Sequence, residues 1–291
     1  MQGSQKEKTM IFPAWLRQRV NPGQVLFIQK FLKEMNIKTV CENALCPNRG
    51  ECYARKTVTF MILGSSCTRN CRFCAVEKGK PESLNLEEPL RVAQAVKDLK
   101  LRHVVITSVT RDDLSDGGAS QFVKVIKTIK KINPGTIIEA LIPDFKGSLS
   151  SISKVVESGL HILNHNLDTV SRLYPEIRPE ADYKRSLGIL KAAKEIKNDI
   201  ITKSGLMLGL GETFKEVEEA MNDLRKVNCD FLTLGQYLAP TSSHYPIKEF
   251  ITPEIFERYK KIATEKGFSR VASGPWVRSS YYADKISLKK I

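Results

Sequence analysis

Residues 57–74 read Thr57-Val-Thr-Phe-Met-Ile-Leu-Gly-Ser-Ser-Cys67-Thr-Arg-Asn-Cys71-Arg-Phe-Cys74, an apolar run followed at once by three cysteines. The run at 57–63 is typical of a buried strand. The cysteines therefore follow the carboxyl end of a strand, where α/β proteins usually place their active sites. Three thiolates can hold an iron–sulfur cluster and leave one iron without a protein ligand, open for chemistry.

A second cysteine triad lies directly upstream, at Cys41, Cys46 and Cys52, and only Cys229 stands apart. Disulfide bonds are one interpretation, but the odd cysteine count and the lack of an apolar signal segment indicate a reducing compartment. Structural zinc is another interpretation. Zinc usually takes four ligands in two close pairs, whereas this sequence has one CxxC and each triad is one ligand short. Cys229 is most simply a buried core cysteine.

Short apolar segments alternate with longer amphipathic ones between Val58 and Ala272, which predicts βα units and a parallel sheet. Strands are predicted at residues 57–63, 103–107, 136–141, 161–164, 200–206 and 231–234. The fold class is therefore α/β, and six strands fit a partial (β/α)6 barrel of the TIM type.

The predicted barrel, residues 57–266, leaves an extension at each end. Residues 1–56 carry the upstream cysteines and a helix near 24–34, and this unit is so small that metal ligation and packing on the barrel must hold it. Residues 267–291 form the C-terminal extension. We expect the first ten residues to be a frayed tail, not a targeting peptide. No apolar run approaches the roughly 20 residues of a membrane helix, so we expect a cytoplasmic protein.

The CxxxCxxC spacing, with Phe73 before the last cysteine, resembles the radical S-adenosylmethionine (SAM) superfamily. The resemblance implies a barrel of that type. It also implies that Cys67, Cys71 and Cys74 hold a [4Fe-4S] cluster whose open iron chelates SAM, and that Phe73 packs near the adenine. Electron transfer to SAM would then release a 5′-deoxyadenosyl radical.

The upstream triad, spaced CxxxxCxxxxxC, resembles the auxiliary-cluster motif of the lipoyl synthase family, and Arg278-Ser-Ser-Tyr281 resembles its serine motif. By that resemblance Cys41, Cys46, Cys52 and Ser280 bind an auxiliary [4Fe-4S] cluster. The two ends of the chain must then meet at one mouth of the barrel. Segments 106–113, 164–169, 202–213 and 234–241 also follow the family pattern, so the resemblance covers about residues 13–283.

Several side chains near the predicted strand ends are candidate SAM ligands. Thr107 and Ser108 follow the second predicted strand, where the superfamily offers acceptors to the SAM amino group. Asn164, Asn166 and Asp168 alternate, so an extended segment would point all three toward the ribose hydroxyls. Ordinary loop capping is the alternative for each of them. Asp168 stands where the family more often has glutamate, which shortens the reach of its carboxylate.

Three further residues are candidate SAM contacts. Arg178 has the planar guanidinium suited to bidentate carboxylate binding. Gly209 and Gly211 let the backbone approach a ligand closely. Their spacing is not a dinucleotide-binding fingerprint, which requires G-x-G-x-x-G and a later acidic residue.

The resemblance implies a SAM-dependent sulfurtransferase that inserts two sulfur atoms at C6 and C8 of an octanoyl group on a carrier-domain lysine. The auxiliary cluster is then the sulfur source, and two SAM molecules are consumed per lipoyl group. Implied partners are octanoylated carrier domains of 2-oxoacid dehydrogenase E2 subunits and of the glycine cleavage H protein, an electron donor, and an iron–sulfur carrier for cluster repair.

The formal net charge of +14 indicates an acidic partner. Nucleic acid is not favoured, because the lysines are spread over many helices without an aromatic-studded basic stripe. Lipoyl carrier domains are commonly acidic.

Two alternative functions stay open. A radical SAM methylthiotransferase acting on tRNA would spread its extra cysteines through a separate N-terminal domain, and a zinc-stabilised nucleic-acid-binding module would contain zinc without sulfide.

Overall fold

The computed structural model describes residues 12–16, 22–281 and 283. The predicted N-terminal tail lies outside the described residues. The strands are β1 (Lys38–Thr39), β2 (Thr59–Ile62), β3 (Ser66–Cys67), β4 (Glu77–Lys78), β5 (His103–Ser108), β6 (Ile137–Leu141), β7 (Ile162–Asn164), β8 (Ile201–Leu208), β9 (Phe231–Gln236) and β10 (Arg270–Gly274). All except β3 and β4, which pair with each other, form one sheet in the order β1-β2-β5-β6-β7-β8-β9-β10.

Helices connect these strands. They are α1 (Pro22–Glu34), α2 (Val40–Asn43), α3 (Arg49–Ala54), α4 (Glu88–Asp98), α5 (Ala119–Ile132), α6 (Leu149–Val156), α7 (Tyr174–Ile177), α8 (Tyr183–Ile196), α9 (Phe214–Lys226) and α10 (Pro253–Glu265). Their buried residues recur at helical spacing, as in α5, where Phe122, Val125 and Ile126 are fully buried. Within the described part of the chain, no helix is both long enough and apolar enough to cross a membrane.

The sheet has the predicted βα topology. From β2 onward its strands run parallel, and only the short edge strand β1 is antiparallel, against β2. Each of the six predicted strands is present. The structure adds β10, which pairs with β9 inside the predicted C-terminal extension. Its sequence, Arg270-Val-Ala-Ser-Gly274, is half-buried throughout, so no apolar run signals it.

Four strands are cross-linked inside the barrel by a buried polar network. Lys203 on β8 and His103 on β5 approach the Glu139 carboxylate on β6, with nitrogen–oxygen distances of 2.8 and 3.4 Å. Asn164 on β7 donates a hydrogen bond to the same carboxylate at 2.9 Å. Burial by itself would raise the pKa of Glu139, but the nearby Lys203 and His103 outweigh it and lower the pKa to about 2. The network therefore holds a charged pair in the core.

We expect Lys203→Met to lower the free energy of unfolding by about 3–5 kcal/mol, because it leaves the Glu139 charge buried without its partner. Urea denaturation measures the loss. The matched control is Lys191→Met, since Lys191 is exposed on α8 and pairs with the exposed Glu195; it should change stability by less than about 0.5 kcal/mol. Equal effects of the two substitutions would contradict a structural role for the network.

The same pair makes stability depend on pH in a defined direction. Because the folded-state pKa of Glu139 is below its ordinary value of 4.5, its stabilising contribution is complete above that value. The contribution is lost as the pH falls toward 2. In Lys203→Met this part of the acid sensitivity should disappear, which denaturation curves across that pH range would measure.

Candidate functional site

The cysteine loop leaves β2 through a sharp turn. Leu63 and Gly64 have φ angles of 70° and 95°, in the left-handed region. The Leu63 amide donates to the Glu88 carboxylate at 3.1 Å, and the Leu63 carbonyl accepts from Arg111 Nη1 at 3.1 Å. The φ of Gly64 lies in a region that residues with a Cβ rarely adopt, so this turn favours glycine. The turn directs the loop across the carboxyl ends of the parallel strands.

A buried arginine inside the cysteine loop anchors it to the barrel. Arg69 donates two hydrogen bonds to Asp112 (2.7 and 3.0 Å) and two to Asp144 (2.9 and 2.7 Å). Burial by itself would raise the pKa of Asp144, but Arg69 outweighs it and holds that pKa well below its usual range. Sequence reasoning missed this anchor, since nothing local connects Arg69 with an aspartate 75 positions away.

The three loop cysteines are close enough to influence one another. Cys67 Sγ accepts a hydrogen bond from the Thr110 amide at 3.3 Å. Burial raises the pKa of Cys71 to about 12, Arg178 opposes that rise, and Cys74 and Cys67 add to it. Burial likewise raises the pKa of Cys74. Cys71 and Cys74 are therefore poorly placed to ionise in water, and bound iron would supply the missing positive charge.

Arg178 and Asp168 form an ion pair beside Cys71. Their closest nitrogen–oxygen distance is 3.2 Å, and Arg178 Nη1 also donates to the Asn166 and Leu167 carbonyls at 3.1 and 3.0 Å. Asp168 has a φ of 64°. The prediction of one extended segment from Asn164 to Asp168 is therefore wrong, because the strand β7 ends at Asn164. Asn164 turns its amide nitrogen to the barrel network, whereas Asn166 and Asp168 lie next to the cysteine loop.

The same edge of the sheet carries unsatisfied polar atoms. Within the described residues, Asn164 Oδ1, Asn166 Oδ1 and Ser108 Oγ are buried and have no hydrogen-bond partner. Thr107 Oγ1, by contrast, donates to the Leu141 carbonyl at 3.0 Å. Buried polar atoms without partners are costly, so a polar ligand at this edge would satisfy them. The arrangement fits an amino acid or nucleoside such as SAM.

The remaining SAM candidates have visible structural roles. Gly209 and Gly211 have φ angles of 94° and 105°, and a Cβ at Gly209 would overlap the Glu249 carbonyl and the Gln236 amide. Gly209 therefore permits a close approach within the protein itself. Phe73 is half-buried and packs against the main core. Contacts of these three residues with SAM stay predictions.

The upstream triad spans two short helices and the loop between them, which carries Cys46. Cys41 lies in α2, which Thr39 caps by accepting a hydrogen bond from the Glu42 amide at 3.3 Å. Burial raises the pKa of Cys41 to about 12, and Cys46 adds to the rise. The pKa of Cys52, in α3, is raised by burial and then by Cys41 and Cys46. Cys46 therefore lies close enough to Cys41 and Cys52 to raise the pKa of both thiols.

The C-terminal segment packs directly on this triad. Asn48 donates to the Trp276 carbonyl at 2.6 Å, and the Tyr281 hydroxyl donates to the Glu51 carboxylate at 2.8 Å. Burial lowers the pKa of Arg278, and Cys46 and Cys52 oppose that change only in part. Ser280, the predicted fourth ligand, is half-buried in the turn between Arg278 and Ala283. The structure thus brings the described N-terminal and C-terminal segments together.

One asparagine connects the two cysteine triads. Asn166 Nδ2 donates to Ser279 Oγ in the C-terminal segment at 2.7 Å. The Asn166 side chain also hydrogen-bonds Asp168, the partner of Arg178 beside Cys71. A Cβ at Gly205, on β8, would lie 3.2 Å from Ser279 Oγ, so this strand leaves room for the segment to cross it. Both triads therefore open on the same mouth.

Each triad offers three thiols, a donor set that suits a four-iron cluster. All seven cysteines are free thiols, and Cys229 is fully buried, which confirms it as a core residue. In the described part of the molecule, no three His, Cys, Asp or Glu side chains converge to hold a single metal ion. A four-iron cluster binds each cysteine through a different iron, so its ligands need not meet at one point.

Comparison with known proteins agrees with this fold and with the family resemblance of the sequence. The profile of the radical SAM superfamily matches residues 61–224. A lipoyl synthase from Caldanaerobacter subterraneus subsp. tengcongensis is 56% identical over 272 residues, which cover 94% of this chain and 95% of the relative. A lipoyl synthase from Geobacter sulfurreducens is 52% identical over 271 residues, covering 93% and 89%.

Solved structures support the fold alone. Methylornithine synthase has a TM-score of 0.55 at 15% identity, covering 74% of this chain and 70% of that one. The FeFe-hydrogenase maturase HydG from Carboxydothermus hydrogenoformans has a TM-score of 0.53 at 14% identity, covering 92% and 78%.

A parallel barrel that presents the CxxxCxxC loop at the carboxyl ends of its strands defines a radical SAM enzyme. Members of this superfamily use SAM and [4Fe-4S] clusters. Because more than half of the residues match curated relatives over nearly the whole length, the chain belongs to the lipoyl synthase family. Neither the tRNA methylthiotransferase nor the zinc module is favoured by these relatives.

Proposed function

We propose that the chain inserts two sulfur atoms at C6 and C8 of an octanoyl group carried on the lysine of a lipoyl carrier domain. The observation that carries the proposal is the shared mouth of the two cysteine triads, linked through Asn166 and Ser279. Unactivated C–H bonds resist side-chain acids, bases and nucleophiles. A radical source and a sulfur source at one mouth of the barrel supply what this reaction requires.

Each triad has a separate role in the proposal. Cys67, Cys71 and Cys74 hold the cluster that, when bound, supplies the electron for SAM cleavage. Asn166, Asp168 and Arg178 lie beside that loop and orient SAM. In addition, Thr107, Ser108 and Asn164 offer polar atoms along the neighbouring strand ends. The protein holds the acyl chain between the two sites and excludes water.

The second triad provides the sulfur. Cys41, Cys46, Cys52 and Ser280 hold the auxiliary cluster in this proposal. The packing of residues 276–281 on α3 supports it, because that packing brings the serine motif to the cysteines. A sulfur source that is consumed has to be rebuilt, so an iron–sulfur carrier joins the electron donor as a partner.

The substrates are lipoyl carrier domains, as the family implies. We propose the E2 subunits of 2-oxoacid dehydrogenases and the glycine cleavage H protein as the particular carriers. A cytoplasmic location is proposed from the clustered free cysteines, which require a reducing environment.

The proposal is tested by anaerobic incubation of reconstituted protein with SAM, dithionite and an octanoyl-lysine peptide. Mass spectrometry should detect a product that has gained two sulfur atoms, together with 5′-deoxyadenosine. Formation of 5′-deoxyadenosine without any sulfur-containing product from active, doubly loaded protein would contradict the assigned reaction.

Metal analysis provides a second expectation. If both triads assemble cubane clusters, anaerobic reconstitution should yield about eight irons per chain. Cys229→Ser is the matched control, because Cys229 is buried in the core and its Sγ lies 3.4 Å from the Phe231 carbonyl, away from both triads. Its iron content should not change. Stoichiometric zinc without sulfide, or loss of a cluster in Cys229→Ser, would show that the ligand assignment is wrong.

The charge of +14 leads to a third expectation. If basic surface guides an acidic carrier domain, raising the salt to about 0.5 M should slow turnover of the intact carrier severalfold but affect a short octanoyl-lysine peptide little. Initial rates with both substrates measure the difference. The same salt sensitivity for carrier and peptide would remove electrostatic guidance from the proposal.

A further inference from the structure

The lysines of this chain are spread over many helices, but the acidic residues that could balance them are distributed unevenly. Helices α5 and α6 pack side by side on the barrel and contain no aspartate or glutamate. Their lysines are Lys124, Lys127, Lys130, Lys131 and Lys154. Elsewhere around the barrel, α9 has three basic and four acidic residues, and α10 has three of each. Positive charge is therefore in excess on one side of the barrel.

The lysines of α5 and α6 also differ from those of α9 and α10 in their partners. Lys215, Lys260 and Lys261 each form an ion pair with a glutamate one turn away, at 3.9, 3.4 and 4.0 Å. Within the part of the chain that the structure describes, none of the five lysines of α5 and α6 forms an ion pair with a carboxylate. All five are exposed, so their ammonium groups can pair with acidic groups of another molecule.

Three of these lysines line a groove between the two helices. The groove has a volume of about 420 Å³, with Lys124 and Lys127 on the α5 wall and Lys154 on the α6 wall. Its other lining residues are Ser120, Val123, Glu157 and Ser158. Glu157 is the one acidic side chain among them, so three lysines outweigh one glutamate and the groove is basic.

One end of the groove lies near the mouth of the barrel. The Ser120 amide, in the first turn of α5, donates to Asp116 in the loop that follows β5, at 2.8 Å. Asp112 in the same loop binds Arg69 of the cysteine loop. Lys127 is the groove lysine farthest along α5, and at 1.5 Å per residue it lies about 12 Å from the start of that helix. A domain seated in the groove would therefore hold a long side chain within reach of the mouth.

The chemistry of the groove fits an acidic protein surface better than a nucleic acid. None of the residues that line it is aromatic, whereas sites for unpaired bases usually offer aromatic side chains for stacking. Separate ammonium groups on two walls suit carboxylates that are spaced over the surface of a folded domain.

We propose that the groove between α5 and α6 docks an acidic protein domain, which Lys124, Lys127 and Lys154 recognise. The inference rests on the proposed function, under which this partner is the octanoylated lipoyl carrier domain. Docking places the carrier against the side of the barrel, and its octanoyl-lysyl arm extends past the start of α5 into the mouth. The mouth then selects the acyl group, and the groove selects the protein that carries it.

The test compares two triple variants that lower the net charge equally. The groove variant is Lys124→Gln, Lys127→Gln and Lys154→Gln. The control variant is Lys215→Gln, Lys260→Gln and Lys261→Gln, on α9 and α10. The probes are an octanoylated lipoyl domain of an E2 subunit and a short octanoyl-lysine peptide. Fluorescence anisotropy measures the Kd of the labelled lipoyl domain, and initial rates of the reconstituted full chain give kcat/KM for both probes.

At low salt the groove variant should bind the lipoyl domain about tenfold more weakly, and the ratio of kcat/KM for domain over peptide should fall by the same factor. The control variant should stay within about twofold of the parent in both measurements. At about 0.5 M salt, where exposed charges are screened, the two variants should differ by less than about twofold. Lys124→Arg, Lys127→Arg and Lys154→Arg together keep the charges and should bind like the parent.

Equal weakening in the groove and control variants would overturn the inference, because net charge alone would then guide the carrier. Unchanged binding of the lipoyl domain by a groove variant with a native circular dichroism spectrum would also overturn it. So would a groove variant that loses binding to bulk tRNA but not to the lipoyl domain. If the groove variant alone loses binding, yet the parent inserts no sulfur into the bound domain, the docking surface is supported and the proposed function is refuted.

Discussion

Cys67→Ala, Cys71→Ala and Cys74→Ala should each abolish reductive cleavage of SAM, with 5′-deoxyadenosine formation falling by about 10³-fold or more, to the detection limit. Each substitution removes one of three thiols that influence one another at the carboxyl edge of the sheet. Without the full set there is no stable cluster with an open iron, and no side chain at this mouth can replace an electron donor to SAM. Liquid chromatography of anaerobic reactions with dithionite measures the product.

The control for this prediction is Cys229→Ala, which removes a thiol of the core and should leave SAM cleavage unchanged. Iron analysis should show that the three loop variants still load the auxiliary cluster, so that loss of activity is not loss of folding. Substantial 5′-deoxyadenosine from any loop variant with about four irons per chain would mean that SAM is bound elsewhere.

The cluster loop could be predicted from the sequence because the residues that specify it are close together in the chain. An apolar run, a turn and three cysteines within one short stretch specify a strand and the loop at its carboxyl end, which the structure has as β2 and the turn at Leu63 and Gly64. The six strands with strong apolar runs were predicted for the same reason. β10 was not predicted, because its five residues are only half-buried and include few apolar side chains.

Features that depend on distant partners could not be predicted. The four hydrogen bonds of Arg69 join it to Asp112 and Asp144, and the ion pair of Lys203 joins it to Glu139, 64 positions away. No periodicity or motif links such pairs, because the fold alone brings them together. The expected alternation from Asn164 to Asp168 was wrong for a local reason. Asp168 adopts a left-handed backbone conformation, which the spacing of residues in the sequence does not reveal.

The contact between the N-terminal and C-terminal segments could be predicted only in part. The family resemblance implied that Ser280 reaches the upstream cysteines, and the structure places residues 276–281 on α3 through Asn48 and Glu51. Those two polar side chains had drawn no attention in the sequence, since they lie between cysteines and resemble ordinary loop residues. Their position explains physically how a tail without a core of its own is held at the mouth.

Substitution of the upstream cysteines should separate radical formation from sulfur insertion. Cys41→Ala, Cys46→Ala and Cys52→Ala should each lower the sulfur-containing product by about 10³-fold or more while sparing part of the SAM cleavage, because the loop at Cys67 is intact. Ser280→Ala should behave in the same way but more mildly if its oxygen completes the ligand set. Ser279→Ala is the matched neighbour, since Ser279 accepts from Asn166 and is not an assigned ligand.

The comparison of these variants distinguishes two roles for the serine motif. If Ser280 is a cluster ligand, its variant should lose product and change the spectroscopic signature of the auxiliary cluster, whereas Ser279→Ala should retain that signature. If Ser280 only supports the turn next to Ala283, both variants should keep the cluster and differ from the parent only in stability. Normal lipoyl product from a Cys41, Cys46 or Cys52 variant would remove the sulfur-donor role from this triad, because a source of sulfur that can lose a ligand without loss of product is not the source.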